Sequence, residues 1–122
     1  MIGKTLPLYI KIANGIVKQI VTGELQIGSK LLPIRKLSQE YKITIKTSQN
    51  IVDYLVDKKI VVKDSTRGMY ITKDIDLIND YYINNAFEYI TIFLEEVRGV
   101  MKKEDIIKKM EEKVHDSYKE YK

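Results

Sequence analysis

Between residues 34 and 72 the apolar residues change their spacing abruptly, and that change constrains the fold more than anything else in the chain. Ile34, Leu37, Ser38 and Tyr41 recur at three- and four-residue steps, the inward stripe of a short helix. Pro33 falls in its first turn, where a missing N–H is tolerated. A turn at Lys42-Ile43 leads to Thr44, a competent N-cap hydroxyl. Ser48, Ile51, Val52, Leu55 and Val56 then face inward on a further helix, leaving Lys46, Thr47, Gln49, Asn50 and Asp53 outside. Two β-prone runs follow at once, Ile60 to Lys63 and Met69 to Thr72, around the polar tip Asp64-Ser65-Thr66-Arg67-Gly68. That reads as a hairpin. Two short helices joined by a tight turn form a helix-turn-helix, and a hairpin directly after them is a wing.

The flanking segments complete the architecture. From Pro7 to Thr22 the apolar positions, among them Tyr9, Ile12, Ala13, Ile16, Val17 and Ile20, make an amphipathic helix with a wide buried face. Gly23 sits where a C′ glycine belongs, and Gly28-Ser29 marks a turn. Beyond residue 73 the spacing is helical again. Ile75, Ile78, Tyr82, Ala86, Tyr89, Phe93, Val97 and Val100 fall on one stripe, widened by Ile83, Phe87, Ile90 and Leu94 and closed near Gly99. A last helix over about 103–118 carries Ile106, Ile107, Met110 and Val114, with Tyr118 to Lys122 expected to fray. The fold class is therefore mostly α with a small β-hairpin: a winged helix-turn-helix over residues 1–73 and a two-helix dimerisation tail over 74–122. Two helices close no core of their own, so their apolar faces need cover. Tyr82, Ala86, Tyr89, Phe93 and Val97 are the expected contacts between two copies of the chain.

Composition excludes several classes of function. With no cysteine and one histidine, His115, the chain offers neither disulfides nor a thiolate or histidine-rich metal site. No apolar run approaches the roughly 20 residues that span a bilayer, and Met1 to Lys4 opens no signal sequence, so a cytoplasmic protein without membrane contact is expected. No nucleophile lies in a pattern with a base, and no glycine-rich phosphate loop or ligand cluster occurs; the chain reads as a non-enzyme without metal or cofactor. Charge is unevenly shared. Residues 1–73 hold 13 Lys/Arg against 5 Asp/Glu, whereas residues 74–101 hold one Arg against 6 acids. A basic leading segment suits a polyanion.

On that reading the helix beginning at Thr44 enters the major groove of double-stranded DNA by its N-terminus. Free N–H groups and the positive dipole end meet phosphate there, with Lys46 and Thr47 in the first turn. Gln49 and Asn50 carry amides able to pair bidentately with adenine. Arg67 and Gly68 at the wing tip reach the minor groove or its phosphates.

Residues 6–72 also resemble the GntR family of bacterial regulators. The resemblance lies in Pro7-Leu8-Tyr9, Gly23-Glu24-Leu25, Gly28-Ser29-Lys30-Leu31, Arg35-Lys36-Leu37, Thr44 to Val52, and Arg67 to Ile71, which follow in the family's order without a gap. The chain departs from the family pattern in five places. Leu31-Leu32-Pro33 replaces Leu-Pro-Ser, Lys42 and Lys59 stand for glycines, and Ile45 and Gln49 stand where arginines are common. The resemblance implies that Arg35 contacts phosphate or base. The short tail is similar to the YtrA-type subfamily, whose members are dimers and often repress operons for membrane transporters; no small-molecule effector pocket comes with it. Together these readings point to a dimeric repressor of a small operon binding a palindromic operator. A second reading keeps the winged helix but uses it to bind protein rather than an operator.

Overall fold

The computed structural model describes residues 6–121. The elements run α1 (Leu8–Val21), α2 (Ile34–Tyr41), α3 (Ile45–Asp57), β1 (Val61–Asp64), β2 (Gly68–Ile71), α4 (Ile75–Val97) and α5 (Lys103–Glu120). The order helix, helix, helix, hairpin, two-helix tail is the one expected, with small shifts at the ends. Pro33 is the N-cap of α2, with an extended ψ of 155°, rather than part of its first turn. Asp64 and Gly68 join the strands while Ile60 and Thr72 lie just outside them. Helix α5 runs through Tyr118 to Glu120, two residues past the expected end near 118, as no glycine or proline interrupts it; Lys122 lies outside the described residues.

The chain divides into two units, one running to Ala86 and one starting at Phe87. The core of the first is Ala13, Ile16, Val17 and Ile20 from α1, Leu37 from α2, and Ile51, Val52 and Leu55 from α3. Ile60, Val61, Ile71 and Ile78 close it. Burying each of the larger aliphatic side chains contributes about 2 kcal/mol. Helices α1 and α2 both pack on α3, which fixes the bearing of its outer face. The first half of α4, read from sequence as tail, belongs here: Ile78 is fully buried and Leu77, Tyr81 and Tyr82 lie against the core.

The hairpin is antiparallel, pairing Val61 with Ile71 at its buried base and Asp64 with Gly68 at its tip. A third segment extends it. Leu31 N–H donates to Met69 O at 2.9 Å, Ile71 N–H donates to Ser29 O at 2.8 Å, and Lys30 bridges Tyr70. Residues 29–31, read from sequence only as a turn, thus cover the outer edge of β2. Two lysines hold a left-handed backbone, Lys42 at φ 54° between α2 and α3 and Lys59 at φ 64° after α3. These are the two places where lysine stands for a glycine expected from the resemblance, and a side chain in this region costs about 1 kcal/mol.

In the second unit α5 buries Ile106 and half-buries Met110, but leaves Ile107 and Val114 exposed. No helix among the described residues is long and apolar enough to cross a membrane.

Candidate nucleic-acid interface

The start of α3 is built by two threonines. Thr44 takes an extended backbone, and its hydroxyl accepts the Thr47 N–H at 3.0 Å. The same hydroxyl donates to Thr47 Oγ1 at 2.9 Å. With its oxygen so occupied, Thr47 keeps its own proton for an outside acceptor such as a phosphate oxygen. Ile45 and Lys46 are exposed in this first turn, and their N–H groups find no earlier carbonyl within the helix.

Further along, Gln49 Nε2 donates to Asp53 Oδ1 at 2.8 Å. This i,i+4 bond holds the amide in one orientation, with one N–H and the carbonyl left to meet a base edge. Asn50 is half-buried and shares a groove with Tyr9, Asp53, Tyr54 and Asp57. It therefore stands in an acidic setting, less suited to a duplex than Lys46 or Thr47. Charge along the outer face of α3 changes sign, from Lys46 at the start to Asp53 and Asp57 towards the end. Asp53 is bonded to Gln49 and Asp57 lies 4.0 Å from Lys58 Nζ, so the first turn, with Lys46 and no acid, is the part of the helix best suited to a phosphate.

Helix α2 brings Arg35 and Lys36, both exposed in its first turn. Pro33 provides no side-chain cap, which leaves the first N–H groups of α2 open to an anion. Lys36 was not singled out from the sequence, although it stands beside Arg35.

At the wing tip, Asp64 Oδ1 accepts both the backbone N–H and the hydroxyl of Thr66 at 2.9 Å. The Thr66 N–H, its hydroxyl and the Arg67 N–H hold the Asp64 carboxyl below the usual carboxylate range. The turn thus absorbs the only acid at the tip and turns Arg67 to solvent. Gly68, at φ 103°, occupies a backbone region that a side chain would strain. Lys30 is the residue sequence reasoning missed: its Cε comes within 3.7 Å of where Gly68 would carry a Cβ, placing a second cation beside Arg67. Its only sequence signal was the basic residue between Ser29 and Leu31, and the pairing that aims it is long-range.

The residues expected between copies divide. Tyr82 is partly buried against the core of its own unit, so part of its ring is already covered. Ala86 and Tyr89 are exposed, Tyr89 at 63% of its surface, and Phe93 and Val97 are half-buried. Phe87, exposed at 59%, joins them.

Three helices, a strand-covered wing and a helical tail define a winged helix-turn-helix protein. Over most of its length the chain is similar to GntR-family transcriptional regulators. A GntR family transcriptional regulator from Listeria monocytogenes is 27% identical, with a TM-score of 0.74 over 89% of this chain and 96% of that one. YtrA from Sulfolobus acidocaldarius, a GntR-family transcription factor, shares the fold at 23% identity and TM-score 0.53, over 93% of each chain. S. agalactiae BusR, solved in complex with its busA-promotor DNA, shares it at 17% identity and TM-score 0.56, over 89% of this chain and 52% of that one. No family model matches the sequence, and no curated protein matches it. The fold expected from the resemblance, a winged helix followed by a short helical tail, is the fold observed.

Proposed function

We propose that the chain is a sequence-specific, DNA-binding transcription regulator that acts as a dimer on a palindromic operator in the cytoplasm. The observation that carries this reading is the start of α3. Thr44 and Thr47 form a fixed cap, Lys46 projects beside them and Gln49 is pre-oriented by Asp53. Lys46 and the Thr47 hydroxyl hold phosphate, Gln49 reads an adenine edge, and Asn50 reads a neighbouring base only where its half-buried amide is within reach. Arg35 and Lys36 hold the adjacent backbone, while Arg67, Gly68 and Lys30 engage the minor groove or its rim. The likeness to BusR, seen on its own promotor DNA, supports a duplex as the partner of this fold.

One winged helix makes too small an interface for gene-level specificity, and two copies related by a twofold axis read two half-sites. Phe87 and Tyr89 supply exposed apolar surface for that pairing and half-buried Phe93 and Val97 add to it, while Ala86 and Tyr82 are further contacts expected between copies. Like the YtrA-type regulators it resembles, the chain represses a small operon, one for membrane transport. The test is fluorescence anisotropy on the DNA upstream of the chain's own gene. Lys46→Ala with Thr47→Ala should weaken binding by about 100-fold per half-site, from two lost contacts of about 1–2 kcal/mol each, and by more for a dimer on both half-sites, while size-exclusion mass stays unchanged. Unchanged affinity in that variant refutes the assignment of α3 as the reading helix.

A further inference from the structure

The first unit contains a cavity of about 370 Å³ whose lining shares only Lys30 with the DNA-reading surface. It opens between the last turn of α1, the loop at 24–32, α2 and the base of β2. That volume lies within the range of small-molecule sites, which are mostly apolar with a few placed polar groups. We propose that this cavity binds a small amphipathic amine, with an apolar body on its floor and a protonated nitrogen held between Glu24 and Glu40.

The floor is hydrocarbon. Ile16, Leu31, Leu37 and Ile71 form it and are all buried, and Leu25 and Leu32 stand at the lip. The polar groups gather towards one end and favour a cation. Glu40 and Tyr41 end α2, and Gln19 lies in the last turn of α1, so two helix C-termini, each a negative dipole end, converge there. Glu40 stands in the last turn of α2, where a carboxylate opposes the dipole; Lys42 follows at the C-cap but does not line the cavity.

Both carboxylates reach the cavity. Burial raises the Tyr41 hydroxyl above its ordinary value and Glu40 and then Glu24 raise it further, against a hydrogen bond from Gln19. The one cation on the lining, Lys30, runs the other way, its Cε lying close to Gly68 at the wing. An anionic ligand would therefore meet two carboxylates and two helix C-termini with no facing cation, whereas an alkylammonium matches both ends of the site.

The full-length chain titrated with n-hexylamine, 1-hexanol and hexanoate at neutral pH, followed by amide chemical shifts, tests this. Hexylamine should move the amides of Leu25, Leu31, Leu37 and Tyr41 saturably, with a Kd on the order of 1 mM for so small a ligand. Hexanol should bind about tenfold more weakly and hexanoate more weakly still. The exposed pair Glu24→Gln with Glu40→Gln, which leaves the core intact, should cut hexylamine affinity about tenfold and leave hexanol unchanged. Three results would each overturn the proposal: no saturable shift by hexylamine up to about 10 mM, equal affinity for hexanol, or a double variant that binds hexylamine like the parent.

Discussion

Ser48 allows the packing around the reading helix to be tested by a single atom. It sits on the inner face of α3, fully buried, and its Oγ has no hydrogen-bond partner among the described residues. A buried hydroxyl left unsatisfied costs about 1–3 kcal/mol. Ser48→Ala removes that cost and gains up to about 0.5 kcal/mol in helix propensity. Against this stands the void left by one oxygen, smaller than a methyl group and worth less than about 1 kcal/mol. The balance is a gain of about 1–2 kcal/mol. For a unit of this size that raises Tm by about 4–16 °C, since each kcal/mol moves it roughly 4–8 °C. Thermal and urea unfolding followed by circular dichroism at 222 nm, a wavelength set by the helical signal, should show a higher midpoint at unchanged slope. DNA affinity should not change, because the side chain points away from the outer face. A Tm that stays level or falls would mean that the hydroxyl has a partner, such as a buried water, and would refute the reasoning.

Other perturbations probe the interface, the scaffold and the assembly. Lys30→Ala should lower the salt dependence of DNA binding by about one unit of slope per copy, or about two for a dimer on two half-sites, measured as log Kd against log salt. An unchanged slope removes Lys30 from the interface. Tyr81 donates its hydroxyl proton to Asn14 Oδ1 at 2.7 Å and therefore accepts from the Tyr54 hydroxyl at 2.6 Å, so Tyr81→Phe strands partners on α1 and α3 and should cost about 1–2 kcal/mol in urea unfolding. Burial, then Tyr54, raises the Tyr81 hydroxyl above 10.0. A group raised in this way stabilises the fold below the unfolded value and loses that contribution as pH climbs towards the folded value. Alkaline unfolding should therefore begin above pH 10.0, and Tyr81→Phe should blunt it. Tyr89→Ala with Phe93→Ala should convert dimer to monomer by light scattering and weaken operator binding; a dimer of undiminished mass would show that these rings do not join two copies.

Local rules read most of the fold from the chain. Helical spacing located the buried faces of α1, α2 and α3, Thr44 was legible as a cap, and the β-prone runs around Asp64 to Gly68 announced the wing. Lys59 declared its left-handed backbone because it stands where a glycine is expected. What stayed hidden depends on partners far along the chain. The strand at 29–31 is one bridge long and has no period of its own, so the position of Lys30 could not be foreseen. Periodicity placed Tyr82 on an apolar stripe but could not say that the stripe's first turns pack on the chain's own core. The candidate site was legible as a set of residue types at the start of α3 and at the wing. The orientation of Gln49 and the acidic setting of Asn50 needed side-chain positions.

The reversal of charge along α3 bears on how much sequence one copy can recognise. A helix that meets DNA by its first turns brings three or four side chains to the base edges, enough for about four base pairs. A site of about four base pairs recurs by chance roughly every 256 base pairs, far too often among the millions of competing sites in a genome. Two such sites at a fixed spacing recur about once in 65,000, and the wing and shape preferences must supply the remaining discrimination. On the proposed reading, a helix that meets the duplex through Lys46, Thr47 and Gln49 leaves the spacing between two copies to carry what a single helix cannot.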